Sequence, residues 1–217
     1  MIEMLVDRPE GKAAARFLFA HGAGAPMDSE FMQAIAAGLC ARGIEVLRFE
    51  FPYMAERRSG GGKRPPNKME VLQDCYREQI RELAAERERL PLFIGGKSLG
   101  GRVASLLAGD EYLQDHIGGL VCLGYPFHPR GKPDKLRTEH LYSLDCPALF
   151  VQGTRDPLGN FDEVAGYRLP DSICFEWLED GDHDFKPRRR ASGFTREQHW
   201  RAAVAAAADF ILRSRES

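Results

Sequence analysis

Long apolar runs are missing from this sequence of 217 residues. A bilayer-spanning helix needs about 20 consecutive apolar residues, and the mean hydropathy is -0.38. Membrane transport and anchoring by a spanning helix are therefore not expected. Cysteine is sparse: Cys40, Cys75, Cys122, Cys146 and Cys174 are far apart, odd in number and form no C-x-x-C. That pattern argues against a disulfide framework, and it predicts buried, reduced thiols and a cytoplasmic setting. Charge of one sign is lacking too. The 30 Lys plus Arg face 32 Asp plus Glu, for a net charge of -2, so neither nucleic acid nor an anionic membrane is an expected partner. The first residues, Met-Ile-Glu-Met-Leu-Val-Asp, show no basic segment followed by an apolar one, so no secretory leader is expected.

What remains is a globular balance, 43% hydrophobic and 29% charged. The length suits one domain, since single domains run to roughly 250 residues. No repeat or linker divides the chain, and the expectation is a single domain over 1–217.

Short apolar runs alternate with longer helical patterns. Strands are expected at 16–20, 44–49, 92–94, 119–123, 148–151 and 173–178, with a weaker one at 4–6. Helices are expected at 28–41, 67–89, 100–108 and from Thr195 to about Arg213, with capping boxes at Asn67–Glu70 and Thr195–Gln198. Phe31, Ile35 and Leu39 read as one helical stripe. The Gly/Pro/basic stretch 59–66 reads as a loop. Alternating strands and helices imply α/β, a three-layer α/β/α arrangement around a mostly parallel sheet of six to seven strands.

Gly96-Lys97-Ser98-Leu99-Gly100 carries the strongest chemical signal. It is a G-x-S-x-G between a strand and a helix, the context in which a serine sits on a sharp turn with its hydroxyl exposed. A phosphate loop would need Gly at position 91, which is Pro91. A serine hydroxyl needs a base. Of six histidines, His183 is preferred because it lies in a turn-rich loop after the last strand. His21 reads as a structural group holding the loop after the first parallel strand, and His128 as a pocket-lining residue. The base needs a carboxylate to orient it. Asp156, just beyond the 148–151 strand, ranks above Asp182 and Asp184, which as close neighbours of His183 would point away; Asp162 is the fallback. Oxyanion donors are expected at the backbone N–H groups of Leu99 and Ala23, with Gly24 second. Substrate-binding residues are expected at Gly24, Tyr53, Tyr125, Phe127 and His128, in loops at the strand C-terminal ends. The basic residues of two loops read as scattered solvated charges, and an acidic substrate follows only if both loops reach the cleft. Lys186-Pro187-Arg188-Arg189-Arg190 reads as a solvated loop rather than a nucleic-acid contact.

These motifs resemble the α/β-hydrolase superfamily over nearly the whole chain, in the order Ser98, Asp156, His183 that the superfamily uses. The strings Gly-Gly-Lys-Ser-Leu-Gly-Gly-Arg, His-Gly-Ala-Gly-Ala and Gly-Tyr-Pro-Phe-His-Pro are similar to one compact branch. That branch contains bacterial hydrolases, a testis-expressed protein and a subunit of the nonspecific lethal chromatin complex; dienelactone-hydrolase-like enzymes share its compact core. The resemblance implies a reduced fold with no large cap domain. The expected function is hydrolysis of an ester, thioester or related acyl bond in a small-molecule substrate, with no metal or organic cofactor. The alternative is a non-catalytic interaction module on the same fold, since some members of the branch are regarded as scaffolds. Oligomeric state and substrate identity stay open.

Overall fold

The computed structural model describes residues 3–86 and 90–214. Seven strands form one sheet: β1 (Met4–Asp7), β2 (Ala15–Ala20), β3 (Ile44–Phe49), β4 (Leu92–Lys97), β5 (Gly119–Leu123), β6 (Ala148–Gly153) and β7 (Ile173–Leu178). Their spatial order is β1-β3-β2-β4-β5-β6-β7. Only the β1–β3 pair is antiparallel; the remaining pairs are parallel. The helices are α1 (Glu30–Cys40), α2 (Pro52–Arg58), α3 (Met69–Ala84), α4 (Leu99–Ala108), α5 (Phe161–Ala165), α6 (Arg189–Ser192) and α7 (Arg196–Ser214).

The period of two along each strand divides the core. Phe17, Phe19, Phe93, Val121 and Val151 face the layer that contains α1 and α7. Leu18, Ile94, Leu120, Cys122 and Phe150 face the opposite layer, built largely from α3 and α4. Because both faces are covered, the central strands read as continuous apolar runs rather than alternating ones. Gly38 sets the approach of α1 to α7: a Cβ there would lie 2.8 Å from the Val204 side chain.

Three expectations need correction. Residues 52–58 are helical, not loop: Pro52 occupies the first turn of α2, where its missing N–H costs nothing. The expected capping box at Asn67 does not form. Asn67 Oδ1 instead accepts from Tyr53 N at 2.9 Å, and α3 starts after Lys68 without a side-chain cap. That helix ends at Ala84, and its expected reach to Arg89 falls on residues 87–89, outside the described residues. Among the cysteines, Cys75 and Cys122 are buried, Cys40 and Cys146 are partly exposed, and Cys174 is exposed on the edge strand β7. At Thr195 the expected box is present: Thr195 Oγ1 accepts from Gln198 N at 3.2 Å and Gln198 Oε1 from Thr195 N at 2.8 Å.

Candidate active site

The chain leaves β2 toward β3 on one side and returns to β4 on the other. The C-terminal ends of β2 and β4 therefore flank the point where the strand order reverses, the usual ligand crevice of such sheets. Ser98 stands there, between β4 and α4, with φ 51° and ψ -110°. A non-glycine residue in this region is strained, and the turn survives because its neighbours give it room. A Cβ at Gly96 would sit 2.6 Å from the Ala20 carbonyl, and one at Gly100 would sit 2.8 Å from the His21 carbonyl. Only glycine fits either side of the serine.

Ser98 Oγ lies 2.9 Å from His183 Nε2, and His183 Nδ1 lies 2.7 Å from Asp156 Oδ2. Asp156 is fully buried. Gln152 Nε2 donates to its Oδ2 at 2.9 Å and Leu158 N to its Oδ1 at 2.8 Å, which fixes the carboxylate plane. Gln152, four residues earlier on β6, was not anticipated; its only sequence signal is a polar residue inside an apolar strand. With Nδ1–H donated to Asp156, Nε2 is left to accept the serine proton. Asp182 points elsewhere: its Oδ1 accepts from the N–H groups of Asp184 and Lys186 and closes the turn below His183.

The His183 loop is anchored at two of its carbonyls. Lys97 Nζ donates to His183 O at 2.7 Å and lies 3.4 Å from Asp184 Oδ1. His199 Nδ1, on α7, donates to Phe185 O at 3.0 Å. Burial pushes the Lys97 ammonium below its ordinary pKa, against the opposing pull of Asp184 and Asp156.

The loop after β2 is held as firmly. His21 donates from Nδ1 to Gly22 O at 2.7 Å and accepts the Phe51 N–H on Nε2 at 3.1 Å, the structural role expected of it. Burial holds its imidazole below the ordinary value. Arg48 Nη1 donates to Met27 O at 2.8 Å, and Glu50 Oε1 accepts from Met27 N at 3.3 Å. Arg58 pairs with both Glu50 and Asp28. Within this loop, the Ala23 N–H donates to no acceptor among the described residues. Leu99 N–H, at the first turn of α4, has no intrahelical partner. Ala23 lines the cleft containing Ser98, and Leu99 follows Ser98 directly in the chain.

That cleft has a volume of about 430 Å³ and brings Ser98 and His183 together with Ala23, Gly24, Phe31 and Lys97. Phe31 was assigned to a core stripe by its spacing to Ile35 and Leu39. Sitting in the first turn of α1, it overhangs the cleft and packs edge-on against Phe185 and Trp200. A second depression, of about 470 Å³, lies across His183 and includes Arg130, Arg155 and Leu158.

Four expected substrate residues lie elsewhere. Tyr53 is buried and ties the loop after β2 from behind, its hydroxyl donating to Ala23 O at 3.1 Å. Burial pushes that phenol up to about 12, so it stays a donor. Tyr125 and Phe127 are fully buried and pack on Phe150. His128 is buried, with Nδ1 on Pro129 O and Nε2 3.4 Å from Glu163. The loop after β5 turns inward because its apolar side chains find more area in the core than at the cleft. Gly24 alone of the five lines the cleft.

A second serine–histidine contact exists, Ser105 Oγ with His140 Nε2 at 2.8 Å. Ser105 is buried within α4 and its hydroxyl donates to Arg102 O, so it offers no exposed nucleophile. The basic segment after His183 is partly neutralised, since Arg188 pairs with Asp180. No helix among the described residues is long and apolar enough to cross a membrane.

Comparisons agree with this architecture. Est1E from Butyrivibrio proteoclasticus, in a form with ferulic acid bound, superposes with a TM-score of 0.74 at 16% identity, covering 100% of this chain and 96% of its own. Dienelactone hydrolase from Anabaena variabilis gives 0.72 at 19% identity, covering 97% and 90%. A serine hydrolase without a lid from Xanthomonas campestris gives 0.64 at 20% identity, covering 95% and 87%. The model of the alpha/beta hydrolase domain family matches residues 13–212. With the seven-stranded sheet and the serine turn in place, the chain belongs to the α/β-hydrolase superfamily, as a compact member without a large cap domain.

Proposed function

We propose that this protein is a serine hydrolase that cleaves an ester, thioester or related acyl bond of a small molecule through an acyl-enzyme. The observation that carries the reading is the continuous hydrogen-bonded chain from Ser98 Oγ through His183 to buried Asp156, opening on the cleft. Ser98 Oγ attacks the substrate carbonyl carbon as its proton passes to His183 Nε2. The π pair of the carbonyl C=O moves onto its oxygen, which the Leu99 and Ala23 amides hold, while the scissile C–O or C–S bond stays intact until the adduct collapses. Collapse of this adduct expels the leaving group, which takes the proton from His183, and leaves an ester on Ser98. Water, deprotonated by His183, then releases the acid and restores the serine. Asp156 keeps the imidazole in the working tautomer throughout.

Phe31, Ala23 and Ala25 make part of the cleft wall apolar, which suits an acyl group. The test is turnover of a panel of activated acyl esters and thioesters. Ser98→Ala is expected to lower kcat by about 10⁶-fold and Asp156→Asn by about 10⁴-fold. Equal turnover by wild type and Ser98→Ala would contradict the reading.

A further inference from the structure

Two depressions meet at His183. The cleft of about 430 Å³ contains Ser98, Ala23 and Phe31 as well, so it is the place for the carbonyl and the acyl group that Ser98 would take up. The second, of about 470 Å³, contains His183 but not Ser98. A triad imidazole hands its proton to the leaving atom, so the leaving group departs on the imidazole side. The second depression stands on that side.

Two arginines line it, from different loops: Arg130 follows β5 and Arg155 follows β6. These loops are joined beside the depression. His128 N–H donates to Leu158 O at 3.2 Å, and Lys132 N–H closes a turn on Pro129 O at 3.0 Å, which fixes the backbone that carries Arg130. Pro157 and Leu158 supply apolar lining. Of the two basic stretches, the one after β5 reaches this depression, whereas Arg57 and Arg58 line a separate one beside Asp28 and Glu50.

The charged groups here differ in how far they are already engaged. Asp182 Oδ1 accepts from the N–H groups of Asp184 and Lys186, at 2.9 Å each. Asp184 Oδ1 lies 3.4 Å from the Lys97 ammonium. Arg155 donates from Nε to Asp180 Oδ1 at 2.7 Å and from Nη2 to Lys186 O at 3.4 Å, while its Nη1 meets no acceptor among the described residues. Arg130 is exposed and, among the described residues, neither pairs with a carboxylate nor bonds to an acceptor. Both carboxylates already have partners in the protein, and the donors left over belong to guanidinium groups. A guanidinium fork matches the two oxygens of a carboxylate. A singly charged group suits the depression better than a dianion, because Asp182 and Asp184 line it too.

On the hydrolase reading above, on which this rests, we propose that the second depression is the leaving-group subsite, where Arg130, together with Arg155, selects substrates whose alcohol or thiol half carries a carboxylate.

Matched esters test it. Phenyl acetate is neutral, and 3-carboxyphenyl acetate carries the charge on its leaving group. Monophenyl adipate carries it on the acyl group and is compared with phenyl hexanoate. At low salt the wild type is expected to favour 3-carboxyphenyl acetate over phenyl acetate by about fivefold in kcat/KM, the upper range for an exposed ion pair. The advantage is expected to lie in KM and to shrink at high salt. Arg130→Gln is expected to bring the ratio of the two esters close to one, and Arg130→Lys to keep part of the preference. Binding is read separately by NMR titration of Ser98→Ala, in which 3-carboxyphenyl acetate is expected to bind about fivefold more tightly than phenyl acetate. Adding Arg130→Gln is expected to remove that difference. A wild-type ratio near one, a ratio that survives Arg130→Gln, or a larger gain for the adipate over the hexanoate overturns the subsite. So does equal binding of the two acetates to Ser98→Ala, whatever the turnover. If no ester is turned over while the Arg130-dependent binding difference is present, the failure belongs to the hydrolase reading and the carboxylate contact stands.

Discussion

Lys97 shows how one residue at the elbow reaches beyond it. Its ammonium is buried between the aromatic rings of Phe31 and Phe185 and donates to His183 O. We read it as a positioning residue, acting on the imidazole through the loop that carries it. Lys97→Met removes the donor and leaves that carbonyl unpaired. The expected outcome is a fall in kcat of about 10- to 100-fold with KM within about threefold, because misplacing the base affects the chemical step more than binding. Steady-state kinetics on one ester checks it, and an equal rise in KM with kcat unchanged would assign Lys97 to substrate binding instead. The serine, its glycines and the candidate acid and base were legible because each has a local signature: a turn that excludes side chains, and loops at strand ends. Phe31 was not, since spacing along a helix does not tell a core stripe from a residue at the overhanging first turn.

At the scale of elements, a tyrosine and a histidine join layers that apolar packing alone would leave loosely registered. Tyr76 on α3 is fully buried; its hydroxyl accepts from Gly95 N at 2.9 Å and lies 2.6 Å from Leu18 O, bridging β4 and β2 just ahead of the elbow. Tyr76→Phe strands those backbone groups and is expected to cost about 1–3 kcal/mol, measured by urea unfolding. His140 ties the 3-10 turn Glu139–Ser143 to α4 through Ser105, and burial, followed by the Arg102 charge, lowers its pKa from 6.5 to about 4. The unfolded chain therefore binds more protons between these values. Stability is present above pH 6.5 and is lost as pH falls toward 4, by about 2 kcal/mol once partial exposure is discounted. His21 shifts in the same direction, so His140→Gln is expected to flatten the acid limb of a stability–pH curve without abolishing it. An unchanged curve in that variant would remove His140 from the explanation. Strands were read well from apolar runs, whereas α2 was missed because seven residues that begin with a proline are too few to show a period. The Asn67 box failed because Asn67 serves Tyr53, a tertiary contact that no local pattern encodes.

Across the whole molecule, the sheet reverses its order between β2 and β4, and everything assigned to chemistry converges there. The loop after β2 brings Ala23, the loop after β6 brings Asp156, and the loop after β7 brings His183. The alternation of strands and helices was enough to anticipate this arrangement, because right-handed crossovers leave few alternatives. It was not enough to place the aromatics after β5. Whether Tyr125 and Phe127 face cleft or core is decided by how Phe150 and the returning loop fill space, and they face the core. The claim on which the rest depends is that Ser98 is an activated nucleophile. Its most direct measurement is labelling of the purified protein with a fluorophosphonate probe, located by peptide mass spectrometry, beside folded Ser98→Ala and His183→Ala. The expected result is stoichiometric phosphonylation of Ser98 in the wild type, absent from Ser98→Ala and slowed by at least about 10³-fold in His183→Ala. A folded wild-type protein that takes up no probe at Ser98, or labels equally fast without His183, would contradict it.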